Sequence, residues 1–204
     1  MSRRPMPDAP GTVHCQGLPY SLSREKIRES VSGCAFVEQT PDGVLPCHLP
    51  AWARLRSGSA WLDTLARAGT GISIRLMSAA RSLELELVFT RYAFADVLEP
   101  ARIVVEADGA RHVVDLADTD GEALRDDTLR REPSVVTPTR LRFQLASTPE
   151  PRLIVVRLSQ AAATQIVAVR ADARLVPDRS PTRPLWLHHG SSISHGTNLP
   201  DPES

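Results

Sequence analysis

The sequence has no surplus of charge, a single lysine, three cysteines and no long apolar run, and each scarcity excludes something. Lys and Arg number 24 and are matched by 24 Asp and Glu. A chain with zero net charge lacks the basic face that phosphate neutralisation needs, so no nucleic-acid partner is expected. No apolar stretch approaches the roughly 20 residues that cross a bilayer as a helix, so no membrane partner is expected either. The opening MSRRPMPDAPGTVHC has two arginines but no apolar segment behind them, which is unlike a secretory leader; the expected location is cytoplasmic. Cys15, Cys34 and Cys47 are odd in number and irregularly spaced, as expected of reduced, inert thiols packed as small hydrophobes rather than a disulfide framework. With Lys26 as the only lysine and many alanines, the composition carries the bias of GC-rich coding more than any chemistry.

What is present is enough apolar material, 42% of residues, to build a core. Residues 1–30 read as an irregular Pro- and Gly-rich stretch followed by a short helix, SLSREKIRES, with Ser21 or Ser23 as its N-cap. From residue 31 the pattern turns to strands. GCAFVEQT and VLPCHLP flank Pro41-Asp42-Gly43, where Pro fixes φ and Gly accepts positive φ. Pro46 and Pro50 demote the second of these to an edge strand at best. WARLR and WLDTLARAG remain open between helix and loop, with Gly69 a candidate C-cap.

The middle of the chain alternates clearly. Ile72, Ile74 and Leu76 alternate with Ser73 and Arg75, and Leu83, Leu85 and Leu87 with Glu84 and Glu86. ARIVVEADGARHVVDLA is two strands around Asp108-Gly109, a strong hairpin signal. TRLRFQLAS, RLIVVRLSQ and TQIVAVRADARLV complete at least seven strands, while the charged 120–132 reads as a long connection. The expected fold class is mainly β, an antiparallel β-sandwich or jelly roll over 31–177. Arg75, Arg140, Arg142 and Arg157 are expected on solvated strand faces. DRSPTRP (178–184) reads as a linker, and LWLHHG begins a new unit at 185–204.

After that apolar run comes Gly190-Ser191-Ser192-Ile193-Ser194-His195-Gly196. This is not the G-x-S-x-G elbow, because the glycine falls at the seventh position. It resembles the first block of the SGNH (GDSL-type) hydrolases, Gly-Asp-Ser-x-x-x-Gly after a strand, with Ser191 in the Asp position. The layout of β-rich domain, proline-containing linker and Trp-x-x-x-Gly-Ser-Ser-Ile segment is similar to members with an N-terminal β-sandwich, among them carbohydrate esterases.

The resemblance implies that Ser192 is the nucleophile and an oxyanion-hole donor, Gly190 permits the tight turn, and Gly196 permits close packing of the next helix. It implies no cofactor and no metal, and a small-molecule or carbohydrate ester as the partner. The family's later Gly, Asn and Asp-x-x-His blocks do not follow: only TNLPDPES comes after Gly196, and position 204, three beyond Asp201, is Ser. A serine hydroxyl without a base is a weak nucleophile. The expectation is therefore the first strand of an incomplete hydrolase domain, a chain truncated just after the nucleophile block and inactive alone.

His188, His189 and His195 do not make a metal site at this stage, since adjacent residues on a strand point to opposite faces. A second class of function stays open: a free-standing carbohydrate-binding module in which Trp52 and Trp61 stack on sugar rings. The oligomeric state is not legible.

Overall fold

The computed structural model describes residues 18–58, 60–94, 97–98, 101–117, 122–125 and 137–178. The chain enters as β1 (Tyr20–Ser21) and turns into α1 (Arg24–Ser30). Ser23 is the N-cap, its Oγ accepting from the Lys26 N–H, and Glu25 in the first turn complements the helix dipole. Ile27 anchors α1 in the core. β2 (Val31–Ser32), β3 (Phe36–Gln39) and β4 (Val44–Cys47) follow, then α2 (Ala51–Ser57) and α3 (Ala60–Leu65). Next come β5 (Ser73–Ser78), β6 (Ser82–Phe94), β7 (Val97–Leu98), β8 (Arg102–Ala107), β9 (Ala110–Asp115) and β10 (Glu122–Arg125). β11 (Thr139–Gln144), β12 (Arg152–Arg157), β13 (Ala162–Ala171) and β14 (Val176–Pro177) complete the described chain.

These strands form two sheets. The larger runs β10-β6-β13-β4-β3, with β11 and β7 also on β6 and β1 on β13; the smaller runs β14-β5-β12-β8-β9, with β2 on β5. Pairing is antiparallel except for β10, which lies parallel to β6. The protein is mainly β, and neither sheet closes into a barrel.

The two sheets share one core. The larger contributes Leu83, Leu85, Leu87, Phe89, Phe143, Ile166 and Val169; the smaller contributes Ile74, Leu76, Ile103, Val105, Ile154 and Val156. On β5 and β6 the alternation read from the sequence is what puts these side chains inward, because a strand repeats every two residues; on β8 and β12 the intervening Val104 and Val155 are buried as well. On β13 the rule breaks. Ala162, Thr164 and Ile166 are buried, a bulge intervenes between Ile166 and Ala168, and Val169 and Ala171 are buried beyond it. The extra residue shifts the inward set from even to odd positions.

Several local expectations are corrected. Gly43 does not have a positive φ. It is glycine because a Cβ there would overlap the carbonyl oxygen of Ile166, where the β3–β4 turn packs on β13. β4 is not an edge strand, since it lies between β13 and β3. Pro46 is tolerated because β4 pairs with β13 only at Val44, so no ladder hydrogen bond is lost further along. Gly69 does not cap a helix: α3 ends at Leu65, and a Cβ on Gly69 would overlap the Ser159 carbonyl oxygen. Within the expected 120–132 connection, residues 122–125 form β10. The Asp108-Gly109 hairpin forms as read, with φ of 51° and 75° at the two turn residues.

Gly43→Ala is expected to destabilise the fold by about 1–3 kcal/mol, since backbone must move to admit the methyl group. Urea denaturation of the two proteins checks this; an unchanged midpoint would show that the close approach to Ile166 is not constraining.

Candidate functional site

The last described residue is Asp178. Its N–H donates to the Arg75 carbonyl at 3.0 Å. Its Oδ2 accepts from Arg75 Nη2 at 2.8 Å and Nε at 3.1 Å, and the side chain is only 5% exposed. A carboxylate held by a guanidinium fork ties the end of β14 to β5 at the edge of the smaller sheet. Gly190, Ser192 and Gly196, with His188, His189 and His195, lie outside the described residues, as does Cys15.

The other sequence candidates, Trp52 and Trp61, fall on α2 and α3. α2 runs from Pro50 as N-cap to Gly58, whose left-handed φ of 62° ends it. Trp52 is 67% exposed and Leu55 80% exposed; three residues apart, they share one face of the helix. Trp61 is placed in α3, and its side chain is not described.

α2 is held by Arg54, which turns the other way. Its side chain is 4% exposed, with Nε on Asp63 Oδ1, Nη1 on the Leu49 carbonyl and Nη2 on Glu38 Oε1, each at 2.7 Å. Arg67 completes the cluster through Asp63 Oδ2 at 3.0 Å. One guanidinium thus ties α2 to α3 and to β3. No signal in the sequence pointed to this hub or to the Arg75–Asp178 fork, because their partners are brought together by the fold across up to 103 residues.

Cys47 is fully buried next to this cluster. Desolvation, aided by the nearby Glu38 charge, pushes its thiol up to about 12, so it stays protonated and unreactive. Burial also pushes the Cys34 thiol up. Among the described residues no group of three or more His, Cys, Asp or Glu is gathered as a metal site.

The outer face of the larger sheet carries a ladder of charge. Arg170 Nη1 contacts Glu86 Oε2 at 2.7 Å and Glu84 Oε1 at 3.1 Å; Arg142 reaches Glu84 Oε2 at 2.7 Å and Arg140 reaches Glu86 at 3.7 Å. Cross-strand register explains this: Arg142 faces Glu84 from β11 and Arg170 faces it from β13. On the smaller sheet Arg157 meets Glu106 at 3.1 Å. The strand-face arginines Arg75, Arg140, Arg142 and Arg157 are therefore paired as well as partly solvated.

With this geometry in hand, the fold is similar to parts of two solved proteins. One is the salicylyl-acyltransferase SsfX3 from a tetracycline biosynthetic pathway: TM-score 0.61 and 20% identity, over 82% of this chain and 45% of that one. The other is a Bacteroides ovatus protein assigned as a GDSL-like lipase: TM-score 0.51 and 10% identity, over 80% of this chain and 44% of that one. At such identities the likeness is one of fold, and the chain spans less than half the length of either neighbour. No protein-family model matches the sequence, and no curated protein matches it.

Two outcomes are expected. Hydrogen bonding from Arg142 holds Glu84 below the usual carboxylate value of 4.5. A depressed carboxylate stabilises the fold above its unfolded pKa, and that stability is lost as pH falls through the lowered folded value. Urea midpoints of the parent should therefore drop more steeply below about pH 4.5 than those of Glu84→Gln; parallel curves would show that the ladder does not couple to folding. Arg54→Met should lower stability by about 1–3 kcal/mol, less than for a fully buried pair because Glu38 and Asp63 reach solvent. Thermal melts check this, and a change under about 0.5 kcal/mol would remove Arg54 as the pin of α2.

Proposed function

We propose that this chain is the β-rich, sandwich-like part of a GDSL-like serine acyl-transfer protein together with the segment that carries its nucleophile, Ser192. The observation that supports this most directly is the fold shared, over four fifths of the chain, with an acyltransferase and with a protein assigned as a GDSL-like lipase. The Gly190–Gly196 segment follows the β part in the position where the resemblance to SGNH hydrolases puts the nucleophile.

In this reading Ser192 Oγ bonds to the acyl carbon of an ester while its proton passes to a base. The ester's alkoxide leaves with that proton, and water then releases the acyl group as an acid. A hydroxyl acceptor in place of water makes the same centre an acyltransferase. Acetyl removal from a carbohydrate is the hydrolytic version. The base and the remaining oxyanion donors come from polypeptide beyond the blocks present in this sequence.

The 204-residue chain alone is accordingly expected to hydrolyse an activated acetate ester no faster than its Ser192→Ala variant. Sequencing the coding DNA through and beyond codon 204 tests the same reading independently. An open frame with Gly, Asn and Asp-x-x-His blocks supports it. A stop with no such coding sequence nearby counts against it and favours a binding module.

That second reading is favoured by the exposure of Trp52 on α2. An aromatic ring in solvent is a stacking platform for a sugar face. If it is right, the chain binds a glycan and Trp52→Ala weakens binding by about three- to tenfold. Glycan binding unchanged in both Trp52→Ala and Trp61→Ala would end the stacking version.

A further inference from the structure

β9 is the terminal strand of the smaller sheet, and among the described residues only β8 pairs with it. The two-residue turn at Asp108-Gly109 makes Ala107 and Ala110 a hydrogen-bonded pair, and such pairs recur at every second residue. The Leu116 N–H donating to the Ala101 carbonyl at 2.9 Å is in phase with that count. Ala110, His112 and Val114 therefore turn their backbone groups toward β8. Arg111, Val113 and Asp115 turn theirs toward the outer edge. The side chains of those same three residues stand on the outer face, and all three residues are exposed, Val113 at 42%.

We propose that β9 pairs antiparallel with β9 of a second copy of this chain, about a two-fold axis through Val113. In that register Val113 exchanges both backbone hydrogen bonds with Val113 of the other copy. Each Arg111 then lies opposite an Asp115, and each Asp115 opposite an Arg111. Registers shifted by one repeat set Val113 against a charge instead. Edge strands use charge to repel foreign strands; here the two charges have opposite sign and are placed symmetrically about an exposed valine, so they repel little when the partner is the same strand, and Asp115, which accepts from Arg102 of its own chain at 2.8 Å, has its carboxylate shared between Arg102 and Arg111 of the other copy. β3, at one end of the larger sheet among the described residues, has no such symmetry, since its only charged residue is Glu38. The pairing joins two smaller sheets into one continuous sheet and is isologous. It involves one six-residue strand per copy, which places it among small, weak interfaces.

Sedimentation equilibrium of the 204-residue chain, from roughly 1 μM to several hundred μM, is expected to show a concentration-dependent dimer. Arg111→Glu and Asp115→Arg each set like charges face to face, and each alone should raise the dissociation constant about tenfold or more. An equimolar mixture of the two restores opposite charges at both positions and should recover association, an outcome that general destabilisation does not produce. Val113→Pro removes the outward N–H without touching the β8 ladder and should give a folded monomer by circular dichroism. A chain monomeric over the whole range overturns the proposal. So does a dimer that survives Arg111→Glu and Val113→Pro, or a mixture that associates no better than the single variants. Should Asp115→Arg fail to fold, Arg111→Glu and Val113→Pro still decide.

Discussion

The long pairing of β6 with β13 is the constraint on which the rest depends. It runs from Ala162 opposite Arg91 to Ala171 opposite Leu83. Every other strand of the larger sheet attaches directly or through β4 to one of these two: β11, β10 and β7 to β6, β4 and β1 to β13, and β3 to β4. Their inward side chains supply most of the larger sheet's share of the core. Because side chains alternate, the register of this pair decides at once which residues are buried and which charges meet outside. Glu84 and Glu86 meet Arg170 outside for the same reason that Leu83, Leu85 and Leu87 lie inside.

The charged residues of the fold act mainly as fasteners between elements distant in sequence. Arg54 gathers α2, α3 and β3, and Arg75 holds the end of β14 through Asp178. The exposed side chains of α2, Trp52 and Leu55, then project from a helix whose opposite side is pinned.

How far sequence and structure agree follows from how local each signal is. α1 and its Ser23 cap were legible, since an N-cap is decided by neighbours a turn away. The Asp108-Gly109 hairpin was legible because few residue pairs take positive φ twice in succession. The reasons for Gly43 and Gly69 were not, because each is glycine on account of a carbonyl from a remote strand. Nor was the placement of β4 inside its sheet, since Pro46 excludes a continuous ladder but not one confined to Val44. β10 was hidden in a charged stretch whose parallel pairing with β6 has no local signature. The Gly190–Gly196 segment rests on its motif, which sequence states fully.

By itself, then, the sequence determined the mainly β character, the inward leucines and isoleucines of β5 and β6, and the tight hairpin. Periodicity and turn chemistry are properties of adjacent residues. Only the tertiary structure decided the order of strands, the bulge that reverses the inward set along β13, the glycines under close approach and the ion pairs that fasten helices and chain end. Each of those depends on which distant backbone lies alongside, and no local pattern encodes that.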